Sequence, residues 1–229
     1  MGNDLGDSPR PVQWVGPSRL VRCFSRSGRP DDFCWQAVAP DGPAPEPGAA
    51  EGREVLQTAR MRLVPASLPL ARAEIDDRAA FARLLSATVP DNWPPAGMAD
   101  VLPWFLRQLE VAPDRVGWLG WYGVCRGPAP GSDELVASGG FTGPPRDGAV
   151  EVGYSVLPQH QGRGFATEMA GALAEWALSQ AGVRRVVAET HPENAASVRV
   201  LSKLGFAAVG AGHEPGSIRF ELLGRRDRS

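Results

Sequence analysis

Residues 161–166 read QGRGFA and stand between an alternating apolar segment and an amphipathic one. Glycines permit a tight turn there, and main-chain N–H groups at the start of a helix can bind an anion, which the helix dipole also favours. Arg163 adds a fixed positive charge at the same place. The turn therefore predicts a site for a phosphorylated cofactor.

Two common nucleotide-binding motifs do not match this turn. A dinucleotide fingerprint needs Gly or Ala where Thr167 stands, and an acidic residue about 20 residues further on. Glu189 lies 25 residues after Gly164. A Walker loop needs Gly-Lys-Ser/Thr, which the sequence lacks. On these residues alone, a turn chosen only for tight strand–helix geometry explains the glycines equally well.

Several titratable side chains lie near the turn in the sequence. Glu151 precedes it on a predicted strand, and Glu189 lies near the end of the next predicted strand. Carboxylates serve as general bases, so both are candidate catalytic residues, but an ion pair with an arginine on the sheet is the structural alternative for each. His160 is expected to be exposed, and neither His160 nor His191 is assigned a role. No residues have metal-ligand spacing, so no metal site is predicted.

Strands and helices alternate around these residues. Helical spacing of Phe165, Met169, Leu173 and Trp176 predicts one buried face on the helix after the turn. The resulting order predicts an α/β (α+β) fold with a mixed sheet. Strands are predicted over 54–66, 118–126, 135–142, 149–157, 183–190, 206–209 and 218–223, and helices over 76–88, 99–110, 164–180 and 195–204.

The first 52 residues differ in composition from the rest. They hold eight of the 22 prolines, and residues 39–52 read as a linker. We expect residues 1–52 to be a largely mobile extension, although two apolar pieces within it are candidates for short strands. Residues 53–229 are expected to form one domain.

Composition narrows the range of partners. The net charge of −2 and the pI near 6.0 give no general attraction to nucleic acid or to an anionic membrane. Neither a signal peptide nor an apolar run of about 20 residues is evident, so a cytoplasmic location is expected. Three cysteines at unrelated spacings indicate neither a disulfide framework nor a zinc site. The sequence does not decide whether the protein forms a homodimer.

The segment 149–206 resembles the GNAT superfamily of N-acetyltransferases. The superfamily's pyrophosphate-binding signature is Gln/Arg-x-x-Gly-x-Gly/Ala, and residues 161–166 match each fixed position. The longer segments EVGYSVLPQHQGRGFATEM and AETHPENAASVRVLSKLGF look like the ribosomal-protein (RimJ/RimL) branch. The resemblance implies a mixed, mostly antiparallel sheet of about six to seven strands with splayed central strands, flanked by about four helices.

The resemblance also implies acetyl-CoA as co-substrate and assigns residues to it. The main chain at Val156 and Leu157 would face the pantetheine arm and the thioester, and an amide near Val156 would polarise the acetyl carbonyl. Asn194 and Ser197 match an Asn-x-x-Ser that contacts the cofactor arm, although Asn194 also reads as a helix N-cap. The pyrophosphate would bind the amides of Gln161, Gly162, Arg163, Gly164, Phe165 and Ala166.

For the chemistry, the resemblance implies direct attack of a primary amine on the thioester. Glu189 resembles the position used by α-amino acetyltransferases, whereas the position of the family's frequent tyrosine acid is Leu201. A thiol of pKa about 8.5 can leave as thiolate without that acid. The favoured acceptor is a protein or peptide N-terminal amine. A small-molecule amine, such as an aminoglycoside, polyamine or amino-acid derivative, and a non-catalytic acyl-CoA sensor are the alternatives.

Overall fold

The computed structural model describes residues 20–24, 33–37, 55–95 and 97–224. Strands β1 (Leu20–Phe24) and β2 (Phe33–Ala37) form a two-stranded antiparallel sheet. β2 falls within one of the two apolar pieces expected to form strands. The rest of the segment 1–52, whose mobility was expected, lies outside the described residues.

A mixed sheet of eight strands forms the centre of the fold, in the order β3-β4-β5-β6-β7-β8-β10-β9. All neighbouring strands pair antiparallel except β7 and β8, which are parallel. The expected mixed, mostly antiparallel sheet is therefore confirmed, with more strands than expected. Its strands are β3 (Leu56–Gln57), β4 (Met61–Pro65), β5 (Gly120–Cys125), β6 (Glu134–Phe141), β7 (Ala149–Val156), β8 (Arg185–Thr190), β9 (Ala207–Ala211) and β10 (Ile218–Leu223).

The two parallel strands separate part of the way along their length. β7 and β8 pair only over three positions, from Ala149 opposite Arg185 to Glu151 opposite Val187. β7 continues for five more residues, to Val156, and remains paired with β6 on its other side as far as the pair Ala137 and Val156. The expected splay of the central strands is thus present, as a gap that opens beyond Glu151.

Helices cover both faces of the sheet. The buried stripe predicted on α4 packs on the face of β7 that carries Val150, Val152 and Val156. The other face carries Leu157 and Tyr122, and packs against α1 and α2. Among the described residues the α-helices are α1 (Leu68–Asp76), α2 (Arg78–Leu85), α3 (Leu102–Val111), α4 (Phe165–Ser179) and α5 (Ala195–Lys203).

The structure differs from the predicted elements before residue 90. The strand predicted over 54–66 is a hairpin of β3 and β4, closed by a hydrogen bond from the Thr58 N–H to the Met61 carbonyl at 2.9 Å. Helix α1, which has Pro69 in its first turn, was not predicted. A proline is tolerated in the first helical turn, where its missing N–H would have no partner. Asp77 caps α2 by accepting from the Ala80 N–H at 2.9 Å. No helix in the described ranges has both the length and the apolar character to cross a membrane.

Candidate functional site

A cleft of about 450 Å³ lies where β7 ends and helices α4 and α5 begin. Its position next to the gap between β7 and β8 brings most of the predicted cofactor residues together. These are Val156, Gln161, Gly162, Gly164, Phe165, Ala166, Asn194 and Ser197. Leu157 and Arg163, predicted with them, do not line it. The cleft has the size of a small-molecule site.

The glycine turn presents unused main-chain donors to this cleft. Gly162 and Gly164 have φ angles of 73° and 86°, which side chains with a Cβ adopt with strain. The N–H groups of residues 162–166 donate to no other group in the described part of the chain. The Gln161 N–H differs, because it donates to the Pro158 carbonyl at 3.2 Å. The set of free amides therefore begins at Gly162, one residue later than predicted, and suits an anion such as a diphosphate.

The strand edge beside the gap also has unused main-chain groups. In an antiparallel ladder, residues that bond to the neighbouring strand alternate with residues whose groups face the other side. The Leu157 N–H donates to the Val136 carbonyl at 3.0 Å, so the main chain of Val156 faces the gap. The Gln161 side-chain amide donates to the Val156 carbonyl at 3.0 Å, which leaves the Val156 N–H facing the gap.

Leu157 does not have the role predicted for it. Its N–H is bonded to Val136, and its carbonyl accepts from the His160 N–H at 2.9 Å. Both of its main-chain groups are thus used within the protein, and its side chain is fully buried. The sequence places Leu157 next to the gap, but the alternation of the ladder turns its main chain toward β6.

The Arg163 side chain does not line the cleft. Its guanidinium lies 3.2 Å from Nδ1 of His160 and stacks over the Phe165 ring at 5.3 Å. His160 was expected to be exposed, but it is only 8% exposed, and its Nε2 lies 3.3 Å from a Glu134 carboxylate oxygen. The buried ring lies beneath the turn, where it supports the Arg163 side chain.

Arg60 supports the turn from a distant part of the sequence. It donates to the Arg163 carbonyl at 2.8 Å and to the Glu168 carboxylate at 2.7 Å. Its guanidinium also lies 4.3 Å from the centre of the Phe165 ring. The hairpin of β3 and β4 thereby fixes the first turn of α4, whose free amides face the cleft.

Asn194 and Ser197 form the other wall of the cleft. The Asn194 side chain accepts from the Ser197 N–H at 3.1 Å and so caps α5, the structural alternative considered for it. The Ser197 hydroxyl lies 2.9 Å from the Tyr154 hydroxyl on β7. Burial raises the pKa of Tyr154 to about 12, although the hydrogen bond with Ser197 acts to lower it. Tyr154 is therefore neutral at physiological pH.

Two exposed cations on α5 were missed in the sequence. Arg199 and Lys203 both line the cleft. They stand four residues apart, and that spacing puts two side chains on one face of a helix. The spacing was visible in the sequence, but nothing there showed that this face borders the cleft.

The two predicted catalytic glutamates lie on the face of the sheet that carries α1 and α2. The Glu189 carboxylate is 4% exposed and accepts from three donors. These are the His213 N–H at 2.8 Å, His213 Nδ1 at 2.6 Å and the Arg219 guanidinium at 3.2 Å. This is the ion pair considered as the structural alternative, and it fastens the loop after β9 to β8. Glu151 occupies the last paired position before the gap.

A third glutamate on the same face, Glu74, was not singled out in the sequence. It accepts from the Tyr122 hydroxyl at 2.6 Å and from the Trp93 indole N–H at 2.8 Å. Burial raises the pKa of the Glu74 carboxyl from 4.5 to about 7, although both hydrogen bonds act to lower it. Its partners come from distant segments, so no local motif marks it.

In the described ranges, no group of three or more His, Cys, Asp or Glu side chains is placed to hold a metal ion.

Comparison with known proteins agrees with this architecture. A family model described as an acetyltransferase (GNAT) domain matches residues 67–207. The chain is 29% identical over 153 residues to an uncharacterized N-acetyltransferase, YjdG, of Bacillus subtilis, covering 66% of this chain and 89% of that protein. It is also 35% identical over 60 residues to the uncharacterized N-acetyltransferase YnaD of the same organism, covering 26% of this chain and 35% of YnaD.

A solved structure gives the same result for the fold. A GNAT-family acetyltransferase from Bacillus anthracis superposes with a TM-score of 0.51 at 17% identity, covering 75% of this chain and 99% of that one. At this identity the likeness concerns the fold alone. It agrees with the mixed α/β architecture.

Proposed function

Because the chain belongs to the GNAT family of acetyltransferases, we propose that it transfers the acetyl group of acetyl-CoA to the N-terminal α-amine of a protein or peptide. The main support for acetyl-CoA as co-substrate is the run of free amides over residues 162–166. They lie at the start of α4, beside the gap between β7 and β8. These donors suit the pyrophosphate, and the unpaired main chain of Val156 suits the pantetheine arm. Acetyl-CoA is the acyl donor typical of this family.

Within this proposal the remaining residues bind and orient the co-substrate. The Val156 N–H, which faces the gap, is the donor for the acetyl oxygen as negative charge develops on it. Asn194 lines the cleft and keeps its side-chain N–H groups for the cofactor arm, while its oxygen caps α5. Arg199 and Lys203 supply positive charge on the same wall.

The acceptor proposal is supported by the cost of removing a proton from the amine. At pH 7, deprotonation costs about 1 kcal/mol for an α-amine of pKa about 7.8 and about 4.6 kcal/mol for an alkylamine of pKa about 10.4. Glu189, the predicted base, is already engaged by His213 and Arg219. An α-amine therefore suits this site better than an alkylamine. The resemblance of residues 149–206 to ribosomal-protein acetyltransferases supports the same class.

Thiol release from acetyl-CoA over a panel of amines tests the proposal. The panel holds peptides with free and with blocked N-termini, alkylamines, and an aminoglycoside. We expect the free-N-terminus peptides to be acetylated with the highest kcat/KM. Preferred turnover of an alkylamine or aminoglycoside would replace the peptide acceptor with a small molecule. Coenzyme A binding without thiol release from any amine would indicate a sensor.

A further inference from the structure

Glu74 is a carboxylate without a cation. It lies on α1, and its two oxygens accept from the neutral donors Trp93 and Tyr122. Arg72, on the same helix, pairs with Glu110 at 2.8 Å. No Arg, Lys or His side chain in the described ranges forms an ion pair with Glu74. A partly buried carboxylate without a cationic partner is stabilised by a cation from outside the chain.

A small cavity adjoins this carboxylate. Its volume of about 20 Å³ is enough for about one water-sized group. Glu74, Tyr122 and Ser138 supply its polar lining, and Phe105 is part of its apolar wall. Ser138 is 5% exposed. A hydroxyl that lines a cavity beside a carboxylate is suited to accept from an N–H donor.

A row of three glycines crosses the sheet between this cavity and the gap. Gly120 on β5 is paired with Gly140 on β6, which is paired with Gly153 on β7. Gly120 and Gly140 line the cavity, and Gly153 lies on the strand that borders the gap. A Cβ added to Gly140 would lie 2.0 Å from the Leu119 carbonyl oxygen, so a side chain cannot be added there without moving β5. Glycine is required at Gly140 by this close approach of the main chain.

The registers also give the distance from Glu74 to the gap. Glu74 bonds to Tyr122, which is paired with Ser138, and Ser138 is paired with Ser155 of β7. Ser155 also lines the cofactor cleft. Since neighbouring strands lie about 4.8 Å apart, the strand of Tyr122, the partner of Glu74, lies roughly 10 Å from the strand that borders the gap. A reacting amine at the gap and a cation at Glu74 are therefore two different groups.

We propose that Glu74, with Ser138, forms a subsite for a second primary ammonium group of the acceptor, about 10 Å from the amine that is acetylated. This inference rests on the proposed acetyltransferase function. The chemistry is that of a lysine side chain near a peptide N-terminus, and a free diamine presents the same group. The lysine ammonium keeps its proton at pH 7 and the α-amine loses its proton readily, so a lysine-containing peptide suits both positions.

The size and charge of the subsite define its selectivity. An ammonium group occupies about the space of one water molecule, whereas guanidinium and trimethylammonium groups are larger than the cavity. A cation beside the carboxylate also favours its ionised form, so binding strengthens as the pH rises through the pKa of Glu74. The groups facing Glu74 from the packed elements are Tyr122 of β5 and Trp93, and both are neutral.

Matched peptides test whether the subsite binds a lysine side chain of the acceptor. Each peptide has a free N-terminus and one lysine within its first few residues, and its control carries norleucine at the same position. For wild-type protein we expect kcat/KM to be about tenfold or more higher for the lysine peptide at the best position, because a hydrogen bond to a charged group is lost in the control. Arginine or trimethyllysine at that position should give no such gain.

The Glu74→Gln variant then links the gain to this residue. We expect the lysine-to-norleucine ratio to fall to near one in Glu74→Gln and to stay at the wild-type value in Glu110→Gln, a glutamate on α3 paired with Arg72. Because each ratio is measured within one variant, a partial loss of folded protein cancels. A second experiment repeats the measurement with diamines of increasing length and the corresponding amino alcohols. If only the diamines are preferred over their controls, the second ammonium group belongs to a free diamine and not to a peptide.

Three outcomes overturn the subsite. They are a wild-type ratio near one in both experiments, an undiminished ratio in Glu74→Gln, and an equal gain from arginine. In each of these cases acetylation of the control peptides leaves the acetyltransferase proposal intact. If no amine is acetylated although coenzyme A binds, the proposed function fails, and the subsite fails with it.

Discussion

The Tyr154 and Ser197 hydroxyl groups lie 2.9 Å apart and join strand β7 to helix α5. Tyr154 lies beyond the point where β7 and β8 separate, and Ser197 is in the first turn of α5. The bond therefore spans the cleft wall at the open end of the gap. It holds α5, with Arg199 and Lys203, at a fixed position relative to the strand edge that faces the pantetheine arm in our proposal.

Loss of the hydrogen bond between Tyr154 and Ser197 should weaken the cleft wall without stopping acetyl transfer. For Tyr154→Phe we expect the free energy of unfolding to fall by about 1 kcal/mol, the usual contribution of one hydrogen bond. The affinity for coenzyme A should fall by less than about tenfold, and kcat should change little, because a phenol of pKa about 12 is not needed to release a thiolate. Urea denaturation, calorimetric titration and thiol-release kinetics measure these three quantities.

Ser202→Ala is the matched control for Tyr154→Phe. It removes a hydroxyl from the exposed side of the same helix, where Ser202 bonds only to the Val198 carbonyl, at 2.8 Å. Coenzyme A affinity should not change in this control. A loss of kcat of about 100-fold or more in a folded Tyr154→Phe would identify Tyr154 as a general acid, contrary to our expectation.

The local part of the site could be predicted from the sequence because its residues are contiguous. The glycine turn, the strand before it and the helix after it lie within 149–180, and their order fixes where the free amides are. The error at Leu157 has a physical reason. Which residues of β7 turn toward the gap depends on the register with β6, and the sequence of β7 alone does not contain that register.

The Glu74 site could not be predicted because it is assembled from distant segments. Trp93 is 19 residues from Glu74, and Tyr122 is 48 residues away. Helix α1 itself was not predicted, so Glu74 was not assigned to a helix face. The same limit applies to Glu189, whose partners His213 and Arg219 follow it by 24 and 30 residues.

We expect Glu189→Gln to weaken the fold more than the reaction. The amide cannot keep all three hydrogen bonds from His213 and Arg219 or the charge that pairs with the guanidinium. The free energy of unfolding should fall by about 2 kcal/mol, the value of a charge-assisted hydrogen bond. The value of kcat, measured below the melting transition, should fall by less than tenfold.

Glu221→Gln provides the comparison for Glu189→Gln. Glu221 also contacts Arg219, at 3.3 Å, but lies further from the gap along the sheet. If Glu189 were the general base, Glu189→Gln would lower kcat by about 100-fold or more at unchanged stability, and Glu221→Gln would not. That result would reinstate the role predicted from the sequence.

Cations on the cleft wall should contribute more to cofactor binding than Arg163. We expect Arg199→Glu and Lys203→Glu each to weaken coenzyme A binding by about fivefold at low salt, in line with the modest value of exposed ion pairs. Arg163→Glu should have a smaller effect with an intact fold, because its guanidinium points to His160 and Phe165. Calorimetric titration at two salt concentrations measures these differences, which should shrink as screening increases.

The comparison between these variants shows whether the Arg163 side chain contributes to cofactor binding. An unchanged affinity in Arg163→Glu would leave binding of the phosphates to the main-chain amides of the turn. A larger loss in Arg163→Glu than in Arg199→Glu would mean that the Arg163 side chain turns toward the cofactor, as the sequence predicts. Circular dichroism of each variant serves to verify that the fold is retained.

The buried Glu74 carboxyl should make stability fall as the pH rises. Its pKa is raised from 4.5 to about 7 in the folded protein, so between these values the folded state holds a proton that the unfolded state has lost. Folding then takes up a proton, and the free energy of unfolding decreases with pH by up to about 3 kcal/mol in total. Its contribution is complete below pH 4.5, is lost as the pH rises through 7, and does not change further above that. Urea denaturation across this range should show a weaker decrease for Glu74→Gln than for wild type, whereas Glu110→Gln should follow wild type. Parallel curves for wild type and Glu74→Gln would show that Glu74 titrates normally in the fold.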